Sequence, residues 1–217
     1  MSHHSRVFLT IFCALILIPL ALAGAADLSP ETQTLLNSPD ITYSSVYDFA
    51  CRPAVLDSLL GHPVLMGRLW AAYGFAPAYR VRPQGDGLHV EDPTGIVGEV
   101  RLAQQAGSRW VYLGDGRLNH RLVPAFRGRM ALLITTAPKG AGVSARVEVF
   151  LRTESRTLGL LTWTLSPLVR GRIENRATFN ARDLGVILKD VSGAPQQAAS
   201  RLDGEDARTF ERMFLRP

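Results

Sequence analysis

Residues 142–191 read GVSARVEVFLRTESRTLGLLTWTLSPLVRGRIENRATFNARDLGVILKDV and hold two hydrophobic periods in succession. In the first, Val143, Ala145, Val147, Val149 and Leu151 alternate with Ser144, Arg146, Glu148 and Arg152. A period of two predicts a strand with one apolar and one polar face. In the second, Val169, Ile173, Ala177, Ala181, Leu184, Leu188 and Val191 recur at threes and fours, with Arg170, Arg172, Arg176 and Arg182 largely off that stripe. Ser166 is placed to cap a helix and Pro167 to occupy its first turn, while Ser192-Gly193 and Pro195 mark its end. A helix over Ser166–Val191 with one face turned inward follows. Between the two, Thr157–Leu165 reads as a last strand.

Upstream, short strands separated by turn residues predict an antiparallel meander. They are expected at Tyr79–Arg82, Leu88–Asp92, Ile96–Gln104, Ser108–Leu113 and Arg129–Thr135. The two Gly-Asp-Gly triplets, 85–87 and 114–116, read as hairpin turns, since neither gathers enough oxygen ligands for calcium. Before the strands the pattern is helical. Ser29-Pro30 opens a short helix. From Ile41 the residues Val46, Phe49, Ala50, Leu56, Leu59 and Leu60 recur at helical spacing, interrupted at Pro53. Pro63–Tyr73 reads as a further helix, ended by Gly74 and Pro77. A polar linker, APQQAAS, and a short helix near Asp203–Leu215 finish the chain.

The first residues are of another kind. A polar start with Arg6 precedes the uncharged run VFLTIFCALILIPL, then ALAGAA supplies small residues. This is the pattern of a secretory signal peptide over residues 1–25, with cleavage after Ala23 or Ala25. An uncleaved anchor is the alternative, because Val7–Ala26 carries no charge and is long enough to span a bilayer. The remainder divides into a polar lead at 26–40, a domain at 41–191, and the linker and short helix at 192–217. Export to a periplasm is the expected location. Cys51 is the one cysteine outside the apolar run, so no intramolecular disulfide is available to the mature chain.

Lys plus Arg number 24 against 19 Asp plus Glu, and arginine supplies all but Lys139 and Lys189. The arginines are dispersed, without the basic-aromatic interleaving of a nucleic-acid surface. Anionic lipid head groups are the more natural counterpart for Arg117, Arg121, Arg127, Arg129, Arg170, Arg172 and Arg176. The remaining reading of these positions is ordinary solvated faces.

Helices, then six or seven antiparallel strands, then a long C-terminal helix: this order, carried most by residues 142–191, resembles the START-like or helix-grip superfamily, which includes polyketide cyclases and lipid-transfer domains. The resemblance implies an α+β fold in which a curved antiparallel sheet grips the C-terminal helix and leaves a cavity between them. It implies an exported bacterial binding protein for a lipid, sterol, hopanoid or polycyclic compound, with no cofactor. The expected lining is Trp110, Tyr112, Met130, Leu132, Ile134, Val147 and Val149 from the sheet, with Phe179 and Leu184 from the helix. Trp70, Tyr73 and Phe75 would form a flap at the mouth. A solidly packed core is the competing reading of the same alternation.

Catalytic signatures are not found: there is no Gly-x-Ser-x-Gly, His-Glu-x-x-His, Walker loop or Cys-x-x-Cys. His62, His89 and His120 are far apart, so no metal site is expected. His89 and Glu91 would share one strand face and form the one conceivable acid–base pair. A cyclase or hydrolase on this scaffold therefore stays as an alternative, as does an envelope interaction protein without ligand.

Overall fold

The computed structural model describes residues 28–76, 79–93, 95–120, 123–154 and 156–215, with 120, 123–124 and 156–169 as backbone. The expected signal peptide lies outside the described residues. Helix α1 (Pro30–Asn37) is capped as expected, the Ser29 hydroxyl accepting from the Thr32 N–H at 3.2 Å. Strand β1 (Ile41–Phe49), helices α2 (Pro53–Leu60) and α3 (Pro63–Ala72), and strands β2 (Arg80–Gln84) and β3 (Gly87–Asp92) follow. The long strands are β4 (Ile96–Ala106), β5 (Arg109–His120), β6 (Val123–Lys139) and β7 (Gly142–Thr153). Helices α4 (Arg156–Gly193), α5 (Pro195–Ala199) and α6 (Gly204–Phe214) close the chain.

All seven strands form one antiparallel sheet in the order β1-β7-β6-β5-β4-β3-β2. Strands β2 to β7 run as a meander, and β1 returns to pair with β7, so α2 and α3 must carry the chain from one sheet edge to the other. The hairpins β2–β3, β4–β5 and β6–β7 each turn through two residues led by Gly85, Gly107 or Gly140, all at positive φ. That geometry matches the twist of the flanking strands and requires a residue free of a Cβ clash.

Three sequence expectations are corrected. Ile41–Phe49 is a strand, because Ile41, Tyr43, Ser45, Tyr47 and Phe49 alternate and pair with Leu151 through Val143. The helical spacing of Val46 and Phe49 was coincident with that alternation. Thr157–Leu165 belongs to α4, which begins ten residues before Ser166. A short apolar run fits a buried strand and a buried helix equally, and here the helix prevails. The second Gly-Asp-Gly lies within β5 instead of forming a hairpin turn.

Those glycines serve the sheet's curvature. Gly98, Gly116 and Gly128 stand in register across β4, β5 and β6. A Cβ on Gly98 would lie 2.4 Å from the Asp115 carbonyl oxygen and 2.8 Å from the Gly116 Cα. These neighbours are backbone and cannot rotate away. Gly98→Ala is therefore expected to cost about 1–3 kcal/mol, read as a lower denaturation midpoint with unchanged slope.

The core lies between the sheet's inner face and the helices. Phe49, Trp110, Tyr112, Val143 and Ala145 from the sheet meet Leu56, Leu59, Leu65 and Leu69 from α2 and α3, and Ile187, Leu188 and Val191 from α4. The C-terminal segment, expected as a linker and a separate short helix, joins the same core through Ala198, Leu202 and Phe210. On the outer face, α1 covers Val111, Leu113, Ala131 and Leu133 with Leu35.

Candidate functional site

Strand register sets which side chains share the inner face. Ser45, Val147, Ile134 and Trp110 form one row across β1, β7, β6 and β5. Tyr43, Val149, Leu132, Tyr112 and Leu102 form the next, and Ile41, Leu151, Met130, Gly114 and Val100 the third. Trp110 and Tyr112 are fully enclosed in the core, and the Tyr112 hydroxyl donates to the Leu60 carbonyl. Burial raises the Tyr112 pKa well above that of a free tyrosine. Met130, Leu132, Ile134, Val147 and Leu151 are only half-buried. They sit on interior strands, paired on both sides, so only what lies over the inner face can cover them. That cover is incomplete. The inner face is thus solid core at the Trp110 end, while over β6 and β7 apolar side chains keep part of their surface accessible, Leu132 and Ile134 where they border the core.

Helix α4 is fixed over this face by polar contacts along its length. Arg176 Nε lies 2.9 Å from Asp92 Oδ2, with the Asp92 side chain 2% exposed. The same guanidinium stacks on the Tyr79 ring at 4.0 Å. Arg176 is therefore spent on the fold and is not a solvated or head-group arginine. The Tyr79 hydroxyl donates to Asn180 Oδ1 at 2.9 Å, and the Tyr73 hydroxyl donates to Asp190 Oδ2 at 3.0 Å. Positions 180 and 190 are about 15 Å apart along a helix. Tyr73 and Tyr79 therefore tie two points along α4 to the chain that precedes β2. Tyr73 also stacks on Phe75 with centroids 5.7 Å apart and carries Arg201 over its ring at 4.5 Å.

Of the expected lining, Met130, Leu132, Ile134, Val147 and Val149 come together in adjoining rows, beside Trp110 and Tyr112 on the neighbouring strand. Trp70, Tyr73, Phe75 and Leu184 are half-buried against the core, and Phe179 is 46% exposed with Arg182 over its ring.

Desolvation, ahead of all other causes, pushes the Tyr79 pKa up to about 12. The folded state thus holds the protonated phenol more tightly than the unfolded chain, where tyrosine titrates near about 10. This stabilisation is complete below pH 10 and is lost as pH rises through about 12. Denaturant titrations at pH 9 and pH 12 should show it, and Tyr79→Phe should flatten the difference. Cys51 is buried, and desolvation raises its thiol to about 11, which makes it an unreactive core residue.

His89 and Glu91 do share a face, with Nε2 3.3 Å from Oε1, and Arg82 approaches Glu91 at 3.8 Å. That face is the outer one. There His89, Glu99, Asp115, Arg117 and Arg127 line a polar groove of about 420 Å³. The acid–base pair is thus separated from the inner face by the sheet itself. Among the described residues, no group of three or more His, Cys, Asp or Glu gathers as metal ligands, and no helix is long and apolar enough to cross a membrane.

Sequence reasoning missed Tyr43, Ser45, Tyr47 and Asp92. The first three fell inside the segment read as helical, although the alternation ITYSSVYDF was there to be read. Asp92 had no local signal, because its partner is 84 residues away.

No family model matches the chain, and no curated protein does. Among solved structures the chain is similar to the protein XoxI from Bacillus cereus, at 11% identity and TM-score 0.46 over 70% of this chain and 97% of that one. It is similar also to a START superfamily protein from Mycobacterium smegmatis, at 10% identity and TM-score 0.43 over 69% and 98% of the two chains. A third is the di-domain ARO/CYC BexL from the BE-7585A biosynthetic pathway, at 13% identity and TM-score 0.43 over 71% and 52%. The architecture itself is a helix-grip arrangement: a seven-stranded antiparallel sheet, two helices between its first two strands and a long helix after its last.

Proposed function

We propose that this protein binds a hydrophobic ligand in the trough between the inner face of the sheet and α4, as an exported periplasmic carrier. The observation that carries the reading is the half-burial of Met130, Leu132, Ile134, Val147 and Leu151 on interior strands. Apolar side chains left accessible at the centre of a folded domain lose about 25 cal/mol of potential stabilisation per Å². A ligand of matching chemistry recovers it on binding. Trp110 and Tyr112 close the floor, so the ligand lies over β6 and β7, with α4 above it. The His89–Glu91 pair is on the opposite face, which favours binding over chemistry in the trough.

Export rests on the pattern of residues 1–25, and contact with anionic membrane on the arginines that remain exposed, such as Arg117, Arg127 and Arg170. The test is mass spectrometry of an organic extract of the purified protein. A lipid or polycyclic compound in stoichiometric amount supports the reading, and an extract matching that of an unrelated protein contradicts it. An N-terminus beginning at Gly24 or Ala26 in a periplasmic fraction supports export, and an intact Met1 in the cytoplasm contradicts it.

A further inference from the structure

The β1 edge of the trough is polar. The Tyr43 and Tyr47 hydroxyls lie 2.7 Å apart, and the Ser45 hydroxyl is placed to hydrogen-bond the Tyr43 oxygen. Strand register puts all three on the inner face, opposite Val149, Ala145 and Val147. Two phenols carry two O–H donors, and their mutual contact uses one of them. With Ser45 the cluster carries three O–H donors and two contacts among them, so one hydroxyl proton is left over for a further acceptor. A polar cluster at one end of an apolar trough is the arrangement that orients an amphiphile.

The charge around it decides which amphiphile. The residues opposite these three on β7 are apolar, and Arg146 faces outward with Val46. From α4, Glu174 is near enough for its charge to help raise the Tyr43 pKa, after burial and the Tyr47 contact. A carboxylate placed here would lose its hydration without a counter-charge. A neutral oxygen loses far less and takes the spare O–H.

We propose that Tyr43 and Tyr47 form the polar end of the binding trough and select an uncharged amphiphile bearing a hydrogen-bond acceptor, a long-chain or polycyclic alcohol or ketone, over a fatty-acid anion. This rests on the trough being a hydrophobic binding site, and it names the ligand class of that site.

The experiment is displacement of N-phenyl-1-naphthylamine from the full-length mature protein by n-dodecane, 1-dodecanol and dodecanoate at neutral pH. The alcohol should compete about tenfold better than the alkane, the scale of one well-made hydrogen bond, and better than dodecanoate. The double substitution Tyr43→Phe/Tyr47→Phe should bring alcohol and alkane to within about twofold while leaving the alkane's competition unchanged. Tyr47→Phe alone, at a half-buried position, gives the same reading if the double variant does not fold. Dodecanoate competing as well as the alcohol, or an alcohol preference that survives the substitutions, overturns the selection. Failure of the probe and all three competitors to bind overturns the trough itself and this proposal with it.

Discussion

Asp92→Ala should destabilise the folded chain by about 3–5 kcal/mol, the cost of leaving one buried charge without its partner. Asp92 ends β3 near the sheet edge, and Arg176 comes from the middle of α4, so the pair joins two elements far apart in sequence. Arg176 reaches it beneath the stacked Tyr79 ring, with both side chains largely removed from water. For a domain of this size the loss corresponds to a fall of about 6–20 °C in melting temperature. Hydrogen exchange in α4 around Arg176 should accelerate more than exchange in β5 and β6. Asp92→Leu combined with Arg176→Met should recover most of the loss, since apolar residues of similar volume often replace a buried ion pair without penalty. A loss under about 1 kcal/mol, the range of an exposed pair, would mean that α4 is not held there.

Phe210→Ala should cost a similar amount, about 3–5 kcal/mol. Phe210 is 0% exposed, packs against Phe214 with centroids 4.8 Å apart, and belongs to the same core as Trp110 and Leu69. Its helix is amphipathic and short, with Arg68 on α3 reaching Asp206 at 3.5 Å. That exposed pair contributes little, so the attachment rests on apolar packing, with the fully buried Phe210 at its centre and Ala207, Met213 and Phe214 beside it. A single cooperative transition should persist in the variant at lower denaturant. Two separate transitions in the unsubstituted protein would show instead that α6 is an independent appendage.

The long-range architecture was legible because its strongest signals are periodic. The alternation of Val143 to Leu151 became β7, and the stripe from Ile173 to Val191 became the described half of α4. Boundaries were less legible for definite reasons. Residues 157–165 carry no charge and set Leu158, Leu160, Leu161, Trp163 and Leu165 among threonines, a run too short for its spacing to separate strand from helix. Val46 and Phe49 fell three apart by accident and concealed β1, the strand that supplies Tyr43 and Tyr47. Gly114-Asp115-Gly116 looks like a turn because glycine's backbone freedom serves a bend within a strand as readily as one between strands. That Leu132 and Ile134 share a face, and Val147 and Val149 likewise, was legible from alternation alone. What alternation does not encode is how much of a face is covered. Trp110 and Tyr112 share that face yet lie in solid core, while Met130 and Leu151 lie in the open part. The Asp92–Arg176 pair and the contacts of Tyr73 and Tyr79 with α4 depend on tertiary placement and leave no pattern in the chain.

The most direct test of the binding trough is a titration of the purified protein with N-phenyl-1-naphthylamine, compared with a Leu132→Trp variant that fills the centre of the inner face. The account predicts saturable binding at one probe per chain, and at least about tenfold weaker binding in a variant that keeps its circular dichroism spectrum. Equal affinity in the two proteins, or no saturable binding in the unsubstituted one, would contradict it.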